Sequence, residues 1–316
     1  VREALERMWP VLTPAELLHD LFGSHALIDL AAGDLLDEQE KLALYRKRSE
    51  SPKDVVWTVD DVALLDEARA LLGPKPRRRR AGDDELRTYG HIVVDEAQDL
   101  SPMQLRMLSR RSLNGSMTVV GDIAQSSGAW AHASWDEILE HLPDRRPARK
   151  VELTLGYRLP GPNMDLAARV LRVAAPELTP PRSVRQTGHE PRFVEAPAGR
   201  LGATALEQAL VERDAVDPGS VAVIVPDSAL GAVVAAFEAA EVPFGRAVRH
   251  GLDEQITIVP VSLVKGLELD AAVVVEPAAI LEEEVQGARA LYVALTRATK
   301  RLVLVHERPL PDVLRP

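Results

Sequence analysis

Cysteine is absent from all 316 residues, which excludes disulfides and thiolate metal sites and fits a reducing compartment. Aromatic residues make up only 4%. That excludes a general base-stacking platform and makes each individual aromatic count for more. No apolar run reaches the ~20 residues that a bilayer-spanning helix needs. The first ten residues carry charges at Arg2, Glu3, Glu6 and Arg7, unlike a secretory signal, so a cytoplasmic location is expected. Positive charge is in deficit, with 38 Lys and Arg against 48 Asp and Glu and a net charge of −10. The chain as a whole therefore has no pull toward a polyanion, and any nucleic-acid contact must be local.

What is present is enough for a core. Hydrophobic residues reach 46%, sufficient for one large or two ordinary domains. From residue 1 to about 80, apolar positions such as Leu17, Leu18, Leu21 and Phe22, then Val62, Leu64, Leu65, Ala68, Leu71 and Leu72, recur at helical spacing. Thr13-Pro14-Ala15-Glu16 reads as a helix start with a capping box. Gly73-Pro74-Lys75-Pro76 and the run Arg77 to Arg80 then mark a boundary loop; the four arginines either touch phosphates or form a solvated linker.

Beyond this loop the texture becomes short β-branched runs between helical stretches. The expected strands are Ile92–Val94, Thr118–Val120, Val151–Leu155, Val221–Val225, Ile256–Val261, Ala272–Val275 and Leu302–Val305. The expected helices are Met164–Ala175, Leu201–Arg213, Ala229–Ala240 and Gly287–Ala298. Such alternation predicts an α/β fold with parallel sheets, too many strands for one compact motif and suited to two. The expected division is a helical subdomain over 1–80, the end of a first lobe over 81–150 and a second lobe over 151–316.

The richest string is His91-Ile-Val-Val-Asp95-Glu96-Ala97-Gln98-Asp99. A buried strand ending in adjacent carboxylates places them at the carboxyl edge of a parallel sheet, where ligands of open α/β folds bind. Asp95 would then help to hold the hydration shell of Mg²⁺, and Glu96 would orient and deprotonate a water. Alone, such a string is equally a strand ending at a polar turn. The full Asp-Glu-Ala-Gln-Asp string, however, resembles the Walker B segment of superfamily 1 helicases of the UvrD/Rep type, and further motifs follow in order.

Val119-Val120-Gly121-Asp122-Ile123-Ala124-Gln125 looks like the third motif, which implies a γ-phosphate sensor at Gln125. Trp130 falls where the family has a base-stacking Trp, with packing as the alternative. Leu153-Thr154-Leu155-Gly156-Tyr157-Arg158 resembles the fourth motif, with Gly156 in place of Asn; it implies adenine stacking by Tyr157 and a γ-phosphate contact by Arg158. Lys265-Gly266-Leu267-Glu268 looks like the fifth motif, where the turn at Lys265 and Gly266 serves the nucleotide and Glu268 the ribose. Leu291-Tyr292-Val293-Ala294-Leu295-Thr296-Arg297-Ala298 matches the sixth, which implies an arginine finger at Arg297, placed on a helix.

The resemblance implies RecA-like P-loop NTPase sheets, part of a first lobe and a complete second one closing on ATP and Mg²⁺. Phrases such as Asp-Glu-Ala-Gln-Asp-Leu-Ser-Pro-Met-Gln-Leu are most similar to the HelD branch of actinobacteria. That branch implies RNA polymerase as a partner beside single-stranded or duplex DNA. No G-x-x-x-x-G-K-[ST] string and no Gly-Lys pair occur. The phosphate loop is thus expected in a missing N-terminal half, or lost, and this chain alone is expected to be inactive. The rival reading is a non-catalytic module, derived from such a motor, that binds a partner such as RNA polymerase.

Overall fold

The computed structural model describes residues 8, 10–73, 87–128, 130–143, 147–246 and 254–315. The arginine run Arg77–Arg80 lies outside the described residues. By its contacts the chain divides into two compact units: residues 1–95, 100–120 and 136–147 form the first, and residues 96–99, 121–135 and 148–316 the second.

The first unit begins with helices α1 (Pro14–Phe22), α2 (His25–Ala32), α3 (Glu38–Leu44) and α4 (Asp61–Leu72). The expected capping box is present, with Thr13 Oγ1 accepting from Glu16 N and Glu16 Oε2 accepting from Thr13 N. Leu18, Phe22 and Ala68 are buried together, covered by Leu64, Leu65 and Trp57. Asp61, buried at the start of α4, receives both ends of the Arg46 guanidinium at 3.0 and 2.6 Å, and the Thr58 hydroxyl as well. Those donors hold its carboxyl down at about 2, from an ordinary 3.8. Strands β1 (Ile92–Val94) and β2 (Met117–Val119) pair in parallel across helix α5 (Pro102–Arg111). Arg110 and Arg111 of α5 both reach Asp66 of α4, at 2.6 and 2.7 Å. A short helix α6 (Trp135–Leu139) follows.

The second unit contains β3 (Leu155–Pro160), α7 (Gly161–Ala174), β4 (Arg182–Arg185), β5 (Arg192–Glu195), α8 (Leu201–Val216), β6 (Val221–Val225), α9 (Asp227–Ala239), β7 (Gly245–Arg246), β8 (Ile256–Pro260), β9 (Leu269–Val275), α10 (Pro277–Glu283), α11 (Gly287–Leu295) and β10 (Ala298–His306). Six of its strands form an all-parallel sheet in the order β5-β10-β9-β6-β8-β7. The side-chain period of two divides each strand between two cores. Ala222, Ile224, Val259, Ala272, Val274 and Leu304 join α7 and α11 on one face. Val221, Val223, Val225, Ile258, Val273 and Val305 join α8 and α9 on the other. A sheet covered on both faces is why these strands read as unbroken apolar runs. The α/β fold with parallel sheets is the one expected from the sequence.

Two expected elements are corrected. The strand expected over Val151–Leu155 starts only at Leu155 and runs to Pro160, because its partner β4 offers register from Leu155↔Arg182 to Pro160↔Arg185. The helix expected to carry Arg297 stops at Leu295: Thr296 turns its hydroxyl back to Val293 O at 2.9 Å, and Leu269 N then takes the carbonyl of Arg297. A β-branched hydroxyl that competes for the last helical carbonyls ends the helix there.

Candidate active site

The amino edge of the six-stranded sheet is where β9 and β10 begin, and Arg297 immediately precedes β10. Its side chain is 6% exposed. Nε donates to Val293 O at 3.0 Å, and Nη2 donates to Gln125 Oε1 at 3.0 Å and to Thr296 Oγ1 at 3.1 Å. Burial, and after it the charge of Arg158, push the Arg297 guanidinium below its ordinary pKa, while Tyr292, Glu96 and Asp122 pull it back up. Tyr292, buried on α11, is raised by burial and then by Asp122. Arg158 itself lies on β3 and pairs with Glu268 at 2.6 Å.

A second line of contacts converges on the same place within this unit. The turn Asp122–Gln125 is held by Asp122, whose Oδ1 accepts from Ala124 N and whose Oδ2 accepts from Gln125 Nε2, at 2.9 and 2.8 Å. The Gln125 amide is thereby fixed with its oxygen toward Arg297. Lys265 donates to the Gln125 carbonyl and to Asp99 Oδ1, both at 2.6 Å. Gly266 follows with φ +76°, a turn that glycine makes without strain. Glu96 has φ +51°, a left-handed backbone uncommon for a side chain of its size and typical of places where geometry serves function.

Sequence reasoning passed over the groups that tie these pieces together. Gln98, 0% exposed, donates its amide to Glu96 Oε2 at 2.5 Å and accepts from Asp122 N at 2.9 Å, while its own carbonyl accepts from Ser126 Oγ. Gly121 must be glycine for this, since a Cβ there would collide with Gln98 Oε1. Arg289, buried on α11, donates to the carbonyls of Ser126 and His132 at 3.1 and 3.2 Å. Asp99 and Asp122 stood inside the quoted strings, whereas Arg289 carried only the weak signal of an arginine among apolar helix positions.

Of the residues singled out beforehand, Glu96, Gln125, Arg158, Lys265, Gly266, Glu268 and Arg297 fall in the second unit and are linked as described. Tyr157 is there too, 78% exposed on β3, and Trp130 is 61% exposed. Asp95 directly follows β1 in the first unit.

Residues 60–145 match the UvrD/REP helicase N-terminal domain, and residues 255–305 match the UvrD-like helicase C-terminal domain. Both matches are to UvrD/Rep-type helicases. No curated protein matches the chain. Among solved structures it is similar to the C-terminal domain of a possible DNA helicase from Lactobacillus plantarum WCFS1, with 24% identity over 50% of this chain and 92% of that one and a TM-score of 0.39. It is also similar to the helicase of PRRSV, at 15% identity over 68% of this chain and a TM-score of 0.37. A third likeness is to arterivirus nonstructural protein 10, a helicase in complex with DNA, at 16% identity over 72% of this chain and a TM-score of 0.34. The chain spans 34% and 41% of those two viral proteins.

Proposed function

We propose that this chain is part of an ATP-driven superfamily 1 motor, and that the amino edge of its second unit holds the terminal phosphates. The observation that carries this reading is the convergence of cations on one turn: the buried Arg297 donates to Gln125 Oε1 at 3.0 Å, Lys265 donates to the Gln125 carbonyl at 2.6 Å, and the charge of Arg158 acts on Arg297. An anionic group beside them would be matched in charge, and a triphosphate supplies one. In this reading Arg297 and Arg158 meet developing charge on the transferred phosphoryl group, and Gln125 turns its amide between phosphate and Arg297. Glu96 accepts the proton of the attacking water. Tyr157, exposed and planar, stacks on the adenine, and Glu268 and the turn at Lys265 and Gly266 serve the ribose and the closing of the site.

The donor set fits Mg²⁺ as such a site uses it. Among the described residues no group of three or more His, Cys, Asp or Glu is arranged to hold a metal. Magnesium is commonly held by one or two carboxylates plus substrate phosphates and water, and Asp95 would supply the carboxylate, through the ion's water shell. The bound ion supplies charge neutralisation at the phosphates. With no G-x-x-x-x-G-K-[ST] string in these residues, the phosphate loop comes from elsewhere, and this chain alone does not turn over ATP.

The motor would act on nucleic acid, on DNA through the exposed Trp130, and on complexes of RNA polymerase; the HelD-like phrases of the sequence support the latter. Among the described residues no helix is long and apolar enough to cross a membrane, and a cytoplasmic setting suits such a role. The absent phosphate loop also favours a second reading, a polymerase-binding module without chemistry. Turnover by the motor supplied with its phosphate loop, measured beside Glu96→Gln, separates the two. The expected result is retained ATP binding and lost turnover in the variant; undiminished turnover sinks the assignment of Glu96.

A further inference from the structure

The opposite, carboxyl edge of the same sheet holds a cavity of about 330 Å³ that none of the motifs touches. Its walls come from four strand ends: Gly199 and Gly202 after β5, Ser228 and Ala229 after β6, Glu276 after β9, and Glu307 with Arg308 after β10, the Arg308 guanidinium being paired with Glu282. The helices that follow β5 and β6 cover one face of the sheet, and α10 and α11, which follow β9, cover the other. Connections that part to opposite faces leave a crevice at the carboxyl ends of the strands, the place where open α/β sheets bind ligands.

Glu276 is the feature that gives this crevice its chemistry. It is 4% exposed, yet among the described residues its Oε1 has no hydrogen-bond partner, while Oε2 accepts from Glu307 N at 3.0 Å and Arg308 N at 3.4 Å. Its backbone is left-handed, with φ +48°, a conformation that a glutamate adopts only where its surroundings impose it. Buried carboxylate oxygens without donors are rare, and each asks for a reason. The floor is made of small residues: Gly202 lets α8 approach Ala232 O closely, and Ala229, Ala232 and Ala279 leave space above. Glu307, which accepts from Gly199 N at 3.0 Å, adds a second carboxylate to the rim.

We propose that this cavity is a binding site for a cationic hydrogen-bond donor, a guanidinium or alkylammonium group, which gives Glu276 Oε1 its missing partner. A flexible chain ending in such a group fits a volume of about 330 Å³, whether it belongs to a protein side chain or to a free amine. The site is independent of the nucleotide reading, since it lies at the far end of β10 from Arg297.

The test is a titration of the isotopically labelled chain, followed by NMR, with agmatine and with the capped tripeptide acetyl-Gly-Arg-Gly-amide. Saturable shifts at Gly199, Gly202, Ser228 and Glu307 are expected, unchanged in Arg297→Ala and weakened at least tenfold in Glu276→Gln. Tighter binding of the tripeptide assigns the cation to a protein side chain, and tighter binding of agmatine to a free amine. Should Glu276→Gln disturb the fold, Ala232→Leu fills the cavity from an exposed position and must abolish the shifts. Shifts that never saturate, that scatter over surface carboxylates, or that survive both variants overturn the proposal.

Discussion

The two edges of the second unit's sheet differ in how their polar groups are arranged. At the amino edge the motif side chains are tied to one another: Arg297 on Gln125, Gln125 on Asp122, Gln98 on Glu96, Lys265 on Asp99, and the buried group left over is the Nε of Arg289. At the carboxyl edge the group left without a partner among the described residues is an acceptor, a buried carboxylate oxygen. A closed network can be rearranged by a ligand only at the cost of bonds already made, which suits a site that reports on the charge state of its ligand. An open acceptor gains from any donor that arrives, which suits simple capture.

The comparison is broken most forcefully at Arg297. Arg297→Ala should lower turnover of the motor by about 10³-fold, the scale of an arginine finger, while leaving carboxyl-edge binding intact. Steady-state kinetics beside circular dichroism separate that outcome from a collapse of the fold.

Gln98 comes next. Replacing it by Leu removes the acceptor of the half-buried Asp122 N–H and one donor to Glu96, and should cost about 1 kcal/mol of stability; a denaturant midpoint no different from wild type contradicts the bridging role. Its effect on turnover should exceed its effect on ATP affinity, because it holds Glu96 rather than the phosphates.

A smaller effect, in the first unit, serves as contrast. Asp61 carries a pKa lowered to about 2 by Arg46 and Thr58, so it binds protons less readily folded than unfolded. Its contribution is complete above about pH 4 and is lost as pH falls toward 2, on the order of 2 kcal/mol in all. Thermal melts across that range should show wild type losing this increment and Asp61→Asn, already lacking it, losing less.

The amino edge was legible because its chemistry places residue types side by side. Glu96 to Asp99, Gly121 to Gln125 and Thr296-Arg297 are strings, and strings survive the loss of three-dimensional information. The helix of α1 was legible for a similar reason, since Thr13 and Glu16 make their capping box within three residues. What stayed hidden depends on distant chain segments. The strand at Val151 shifted to Leu155 because β4, not local propensity, sets its register, and β4 and β5 are too short and too exposed to show alternation. Arg297 left its expected helix through one Thr296 hydroxyl bond. The carboxyl-edge cavity had no spacing to find, its walls being drawn from positions between Gly199 and Arg308.

The central claim is that adenine nucleotide belongs at the amino edge, beside Tyr157, and not in the carboxyl-edge cavity. Photolabelling of the chain with 8-azido-ATP, mapped by peptide mass spectrometry, tests it directly. The account predicts label on the peptide that carries Tyr157 and Arg158, suppressed by excess ATP and lost in Tyr157→Ala. Competed label confined to the segments around Gly199 to Gly202 and Ser228 to Ala232 would contradict it.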